Sequence, residues 1–464
     1  MVSSATPGIV IAAPASGTGK TTIATGLIAA LARFTEVAPF KVGPDYIDPG
    51  YHTLAAGRVG RNLDSFMCTK DLIGPLYAHG SAGCEISVVE GVMGLFDGRI
   101  GPDPLHADGS TAEIAALLGM PVILVIDARH MSQSVAALVH GFATLDEDVH
   151  IAGVIVNRVG SPRHADIMRS SIEAMGIPVL GAIPRVDNVE VPSRHLGLVT
   201  AAEGGSVACE AVQSMADLVE EHVDIQALLA LATCTVSAEP WDPVAAMGRS
   251  TATEPGAGPT IAMAGGPAFT FSYAEHVELL EACGARVAVF DPLVDDFPEC
   301  DGLVVPGGFP EEHVDKLGAR TDLAAQVREA VARGIAVHGE CAGLLWLLDS
   351  LDGYPMCGVL PGDAVMSRLS LGYRDAVAVT DSALATAGTR FRGHEFHKTQ
   401  LTEGSVDKLR AAGFRPAWGW YDWQGAPTTE GIVSTDGRIH ASYLHIHPVS
   451  APQAIAHFVD TCAG

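Results

Sequence analysis

Residues 9–27, IVIAAPASGTGKTTIATGL, run from a β-branched apolar stretch through a glycine-rich turn into a helical pattern. A strand, a tight loop and a helix in immediate succession start a βαβ unit and commit the chain to a parallel sheet. In such a turn successive backbone N–H groups face phosphate oxygens, and the helix N-terminus adds partial positive charge. Ser16, Gly17, Thr18, Gly19, Lys20, Thr21 and Thr22 are therefore candidate nucleotide-binding residues. Lys20 is placed to reach the β/γ-phosphates, and the Thr21 hydroxyl is placed for Mg²⁺. Pro14 stands where the usual motif has its first glycine, a position that closes the strand. Partition-type switch ATPases carry a lysine five positions before the loop lysine; here that residue is Ala15, which favours an enzyme over a switch.

The rest of the chain extends this plan. Apolar runs at 86–91, 121–127 and 150–157 read as further buried central strands, with helical patterns between them. Residues 236–259 are rich in Pro, Gly, Ser and Thr and read as a linker between a domain at 1–235 and another at 260–464. Strand patterns resume at 260–266, 285–293, 302–308 and 334–340, which predicts a second α/β domain. A chain of 464 residues suits two such domains. Lys+Arg 28 against Asp+Glu 54 gives a net charge of −26, which repels nucleic acid and anionic lipid. No apolar run reaches the ~20 residues of a membrane-spanning helix. The N-terminal residues lack the basic leader of a signal peptide. Nine cysteines without paired spacing indicate a reducing cytoplasm rather than a disulfide framework.

Several residues carry chemistry. KVGPDYIDPGYH (41–52) offers Asp45 and Asp48 beside Lys41, and VVEGVMGLFDG (88–98 region) offers Glu90 at a strand end and Asp97. Carboxylates behind a phosphate loop suit Mg²⁺ and phosphoryl transfer, with Thr21, Asp48 and Glu90 as the metal set. Asn157, following a strand in NRVGS, is a candidate for the nucleotide base. In IAVHGECAGLLWLL (335–348) a strand meets a helix at Cys341, the pattern of a nucleophile elbow. A thiol at a helix N-terminus is expected to ionise more readily. RIHASYLHIHP (438–448) supplies a base: read as one alternating strand, it puts Tyr443, His445 and His447 on one face. Spacing does not choose between His445 and His447. Gly307 and Gly308, after another strand, and Ala342 are candidate oxyanion donors. The implied chemistry is acyl transfer through a thioester.

These motifs together resemble the cobyrinic/hydrogenobyrinic acid a,c-diamide synthases, the CobB/CbiA group. The resemblance rests on APASGTGKTT, FKVGPDYIDPGYH, NLDSFM, VEGVMGLFDG, NRVGS, IPRVDNVEVPSRHLGL, PGGFPEEH, HGECAGLLWLL, RGHEFHKT and SYLHIHP, in this order along nearly the whole chain. It implies a dethiobiotin-synthetase-like P-loop domain followed by a class I glutamine amidotransferase domain, with MgATP, glutamine and a corrinoid acid as substrates. It further implies that Cys341 attacks the glutamine amide and that His445 activates it. Asp45, Asp48 and Glu90 match positions of Mg²⁺ and phosphoryl handling, and Tyr46 and Asp97 match positions near the corrinoid. Many class I amidotransferases carry an acid two residues past this histidine, where this chain has His447. One stretch, AMAGGPAFTFSYAEH (262–276), departs from the family pattern and is read as a subgroup difference. An anionic substrate also needs local positive charge, for which Arg185, Arg194 and His195, with Lys41 and Arg61, are candidates. A switch ATPase with a decayed second domain, or a ligase using free ammonia, are the competing expectations.

Overall fold

A computed structural model describes residues 5–101, 103, 105–185, 193–194, 197–198, 200–248 and 256–464. The chain divides into two compact units, one ending at Trp241 and the other beginning at Asp242.

In the first unit the apolar runs become β1 (Gly8–Ala12), β2 (Val37–Val42), β3 (Arg61–Leu63), β4 (Ile86–Glu90), β5 (Val122–Asp127), β6 (Ile151–Val159) and β7 (Val179–Pro184). They form one sheet in the order β3-β2-β4-β1-β5-β6-β7, and every pairing is parallel. β1 and β4 are buried at every residue, which is why β1 is continuously apolar and β4 does not alternate, with Ser87 and Glu90 as its buried polar residues. β1 lies between β4 and β5, so its carboxyl end opens at the point where the strand order reverses, where such sheets bind ligands. Helix α1 (Lys20–Ala32) leaves this loop through Gly19, whose φ of 92° is left-handed. A Cβ at Gly19 would also lie 2.3 Å from Asn157 Nδ2, so both conformation and space require glycine there. Helix α2 (Asp48–Ala56) is started by Asp45, whose Oδ1 accepts the Ile47 and Asp48 N–H groups at 2.9 and 3.0 Å.

The expected linker is in part a packed strap. Trp241 is buried, donates its backbone N–H to the Pro75 carbonyl at 2.9 Å and meets the His79 ring edge-on. An indole buries enough apolar area to fasten a segment whose composition alone reads as loose. Beyond it, Pro243–Ala246 form one helical turn capped by Asp242.

The second unit contains β8 (Thr260–Ala264), β9 (Arg286–Phe290), β10 (Gly302–Val305), β11 (Ala336–Glu340), β12 (Leu360–Ala378), β13 (Arg390–Leu401), β14 (Ile432–Val433), β15 (Ile439–Ser442) and β16 (His445–Ile446). One sheet has the order β9-β8-β10-β11-β15-β14, parallel as far as β15 and antiparallel at β14. Phe269, Leu303, Val337, Leu345 and Trp346 belong to its apolar core. A second sheet, not anticipated from sequence, is built on the long antiparallel pair β12–β13, with β16 on the far side of β13. Its signal is weak because β12 exposes Met366, Leu369 and Leu371, and its register breaks between Met366 and Ser370. Helix α3 (Ala342–Leu347) follows β11 after a single residue, Cys341.

Candidate functional site

In the first unit the phosphate loop is pinned from beneath by two adjacent residues of β6. Asn157 Nδ2 donates to the Thr18 carbonyl at 2.8 Å, and Arg158 Nη1 donates at 2.8 Å to both the Gly17 carbonyl and Asp127 Oδ2. Because a trans peptide sets its C=O and N–H in opposite directions, carbonyls drawn inward turn the following N–H groups outward. Asn157, expected at the base, thus has its amide nitrogen engaged with the loop itself. Ser16 and Gly17 are exposed, Thr22 is half-buried, and Thr18 is buried.

Behind the loop, one cluster gathers the predicted metal set. Thr21 Oγ1 donates to Glu90 Oε1 at 2.6 Å and lies 3.2 Å from Asp48 Oδ2. Lys41 Nζ reaches the same two oxygens, at 3.0 and 2.5 Å, with Asp45 Oδ2 at 3.7 Å. His52 Nε2 holds the other Glu90 oxygen at 2.8 Å. Burial opposes the charge on Lys41, but Asp48, Glu90 and Asp45 outweigh it and raise its pKa. Burial and then Asp45 push Asp48 up to about 7, against Lys41. Glu90 is held well below the carboxylate range: burial disfavours its charge, and Lys41 and His52 overcome that. Lys41, expected to offset substrate carboxylates, is instead spent on this cluster. Lys20 Nζ donates to the Met93 carbonyl at 2.8 Å, and burial followed by repulsion from Lys41 lowers its pKa to about 8.

An oxygen set of one hydroxyl and two carboxylates, already gathered about an ammonium, fits a hard divalent cation. Among the described residues no three His, Cys, Asp or Glu side chains form a metal site by themselves. A cation here therefore depends on Thr21 and on bound phosphate for the rest of its shell.

In the second unit β11 ends at Glu340, and Cys341 makes the turn into α3 with φ 49° and ψ −97°. A non-glycine residue in such a conformation costs about 1–3 kcal/mol and persists because its surroundings impose it. Here the Cys341 N–H is fixed to the Ser442 carbonyl of β15 at 2.6 Å. The thiol is 3% exposed and lies 3.8 Å from the Phe396 carbonyl, to which it donates, while the Ala342 N–H is directed at the sulfur. Burial, then Glu311, with Glu340 and Glu430 adding, push the thiol well above its ordinary pKa. The expectation of an easily ionised cysteine fails for this reason: desolvation and nearby carboxylates override the helix N-terminus. A proton acceptor is needed.

SYLHIHP is not one strand. β15 stops at Ser442, the chain crosses at Tyr443–Leu444, and β16 begins at His445 in the other sheet. β16 ends at Ile446 and His447 caps the 3-10 turn Pro448–Ser450, which parts the two histidines that alternation had placed together. His445 is fully buried, with its ring against Gly307, where a Cβ would stand 2.3 Å from His445 Cε1. Burial and then His397 lower its pKa to about 3, so the imidazole is neutral and takes up a proton only where a carboxylate offsets the charge that forms. His447 turns away: its Nδ1 accepts the Val449 N–H at 3.4 Å and its ring lies 4.1 Å from that of Tyr273. Gly307 and Gly308 follow β10, and Gly308 packs so tightly that a Cβ would sit 2.1 Å from the Ala268 carbonyl oxygen. A cavity of about 710 Å³ has Tyr443, His397, Glu430, Arg410 and Arg415 in its wall.

Comparison with known proteins agrees with both halves. Residues 9–199 match the CobQ/CobB/MinD/ParA nucleotide binding domain, and residues 260–452 match the CobB/CobQ-like glutamine amidotransferase domain. The chain is 55% identical over 459 residues to the hydrogenobyrinate a,c-diamide synthase of Mycobacterium tuberculosis, covering 98% of each chain. It is 52% identical to the protein of that name from Streptomyces coelicolor, covering 99% of this chain and 98% of the relative. The cobyrinate a,c-diamide synthase of Gloeobacter violaceus is 41% identical, covering 98% and 96%. The chain belongs to the a,c-diamide synthase family.

For this a,c-diamide synthase family member the remaining predicted positions divide. Tyr46 is buried beside Asp45, and Asp97 Oδ2 accepts the Gly94 N–H at 2.9 Å, so that carboxylate shapes its own loop. Arg185 is exposed at the end of β7. The Arg194 side chain and His195 lie outside the described residues. Sequence reasoning missed His52, Arg158 and Glu311. Arg158 adjoins a named residue, but nothing in its neighbours announces a contact with Gly17, 141 positions away.

Gly307 offers a direct test of the second site. Gly307→Ala pushes the His445 ring aside, and a displacement near 1 Å at a reacting group costs about 10²-fold. Glutamine hydrolysis should fall by roughly that factor, with ammonia-supported amidation unchanged. Steady-state assay with each nitrogen source checks this; an unaltered glutaminase rate contradicts it.

Proposed function

We propose that this chain is a hydrogenobyrinate a,c-diamide synthase, which amidates the a and c side-chain carboxylates of a cobalt-free corrinoid acid with ATP and glutamine. The observation that carries it is the presence in one chain of a pinned phosphate loop with its Thr21–Asp48–Glu90 cluster and of a strained Cys341 elbow. The hydrogenobyrinate name of the relatives at 55% and 52% identity supports the cobalt-free substrate.

Amide formation from a carboxylate is uphill in water, and ammonia at neutral pH is mostly protonated and without its lone pair. One unit therefore activates the acid and the other releases nitrogen. In the second unit the Cys341 proton passes to His445, and the sulfur attacks the glutamine carboxamide carbon. Gly307, Gly308 and Ala342 N–H groups receive the oxyanion. The His445 proton leaves with ammonia, and water then hydrolyses the thioester to glutamate. The cavity bordered by Tyr443 and His397 is the candidate glutamine entrance. In the first unit a substrate carboxylate oxygen attacks the γ-phosphorus, ADP departs, and ammonia displaces phosphate from the acyl carbon. The loop N–H groups and Lys20 bear the phosphate charge, and the Asn157 side-chain oxygen Oδ1 is the atom offered to the base. Thr21, Asp48 and Glu90 would hold Mg²⁺, which when bound neutralises phosphate charge. Asp45, Tyr46, Asp97, Arg185, Arg194 and His195 are the proposed corrinoid contacts. Nine free cysteines fit a cytoplasmic setting, and no helix among the described residues is long and apolar enough to cross a membrane.

Mass spectrometry of products formed from hydrogenobyrinic and cobyrinic acids, each with MgATP and glutamine, tests the substrate. Two amides gained on hydrogenobyrinic acid and none on cobyrinic acid is the expected result. Amidation of the cobalt-containing acid alone would overturn it.

A further inference from the structure

A buried neutral imidazole that must accept a proton needs a carboxylate to orient it and to balance the charge that forms. His447 does not fill that part, since it is not a carboxylate and its ring caps a turn and lies tilted against Tyr273. We infer that Glu340, the residue immediately before the nucleophile, is the positioning residue for His445. This deepens the reading of Cys341 and His445 as a glutaminase pair and rests on it.

Glu340 Oε2 lies 3.8 Å from His445 Nδ1, which leaves Nε2 to exchange the proton with sulfur. The carboxylate is itself anchored: Oε1 accepts the Ile446 N–H at 3.4 Å and lies 3.2 Å from His338 Nε2. It therefore holds the backbone just past the base and stands beside the ring of the base. A distance of 3.8 Å is longer than a hydrogen bond, as catalytic contacts often are before substrate binds. Protonation of His445 adds the charge that draws the pair together. Glu340 ends β11 and Cys341 follows it, so the nucleophile and the partner of its base are adjacent in the chain. Burial makes the arrangement effective, since Glu340 is 8% exposed and His445 not at all. The rival carboxylate near His445 is Glu395, which is held by Arg374 at 2.5 Å and has His397 at 3.8 Å. Its charge is already matched.

The test uses the full-length chain and four variants: Glu340→Gln, Glu340→Asp, Glu395→Gln and Cys341→Ala. Glutamine hydrolysis, ammonia-supported amidation and Tm are measured for each. Glu340→Gln is expected to lower glutaminase kcat by roughly 10²–10³-fold, with KM for glutamine and ammonia-supported amidation unchanged. Glu340→Asp should recover part of that kcat, and Glu395→Gln should keep it. A merely structural role would move Tm and KM together with kcat and would touch both nitrogen sources. Wild-type kcat in Glu340→Gln, or a loss that follows Glu395→Gln instead, overturns the assignment. Should Glu340→Gln fail to fold, Glu340→Asp decides alone: reduced kcat at constant KM supports the role, and wild-type kcat overturns it. If Cys341→Ala still hydrolyses glutamine, the underlying pair is wrong, and that result is distinct from a failure of Glu340.

Discussion

Cys341→Ala abolishes glutamine-dependent amidation and leaves amidation from added ammonia at its full rate. The loss should be about 10³-fold or more, because the sulfur is the nucleophile and no neighbouring group replaces it. The retained ammonia reaction follows from the separation of functions: the phosphate loop, Lys20 and the carboxylate cluster all lie in the unit ending at Trp241. Folding is not expected to interfere. Alanine keeps the Cβ, tolerates φ 49° no worse than cysteine, and leaves the backbone bond to Ser442 in place. Product formation with each nitrogen source, alongside Tm, reads the outcome. Full glutamine-dependent activity in the variant would remove the thiol assignment and favour a ligase fed by free ammonia.

Lys20→Ala gives the opposite pattern, abolishing synthesis with either source while glutamine hydrolysis by the second unit persists. Removing one preorganised charge from phosphoryl transfer costs about 10²–10³-fold or more. Lys20 donates to a backbone carbonyl rather than to a buried carboxylate, so its deletion strands no charge. Glu90→Ala should be equally inactive but less stable. Glu90 is fully buried against Lys41 and His52, and breaking a buried pair by deleting one partner costs about 3–5 kcal/mol. Comparing the two variants thus separates a catalytic loss from an unfolding loss. Continued synthesis in both would withdraw the phosphoryl-transfer assignment.

The parts of this molecule legible in the sequence are those governed by local rules. β1, the loop and α1 were readable because a continuous apolar run, paired glycines and a helical repeat each have one structural solution. The Cys341 elbow was readable for the same reason. What escaped depends on residues far apart in the chain. Asn157 reads as the end of a strand and Arg158 as nothing in particular, because their partners at Thr18 and Gly17 come from the other end of the domain. Lys41 looked like a free cation because its three carboxylates converge only once α2 packs on β2 and β4 pairs beside it. The thiol looked ionisable because sequence cannot show that Glu311 approaches it, or that it is buried. The β12–β13 pair escaped because its outward face carries Met366, Leu369 and Leu371, which blurs the period-two pattern.

The crossing at Tyr443–Leu444 has a consequence for how this chain can vary. Ser442 anchors the nucleophile's backbone, His445 stands beyond the two residues Tyr443 and Leu444 in the other sheet, and both ends are fully buried. That bridge has no slack, so its length is fixed as strictly as the chemistry of its ends. The turn around Trp423, which is 91% exposed, bears no such restriction. Changes in length across relatives should therefore gather at that outer turn and spare the two residues that join the sheets.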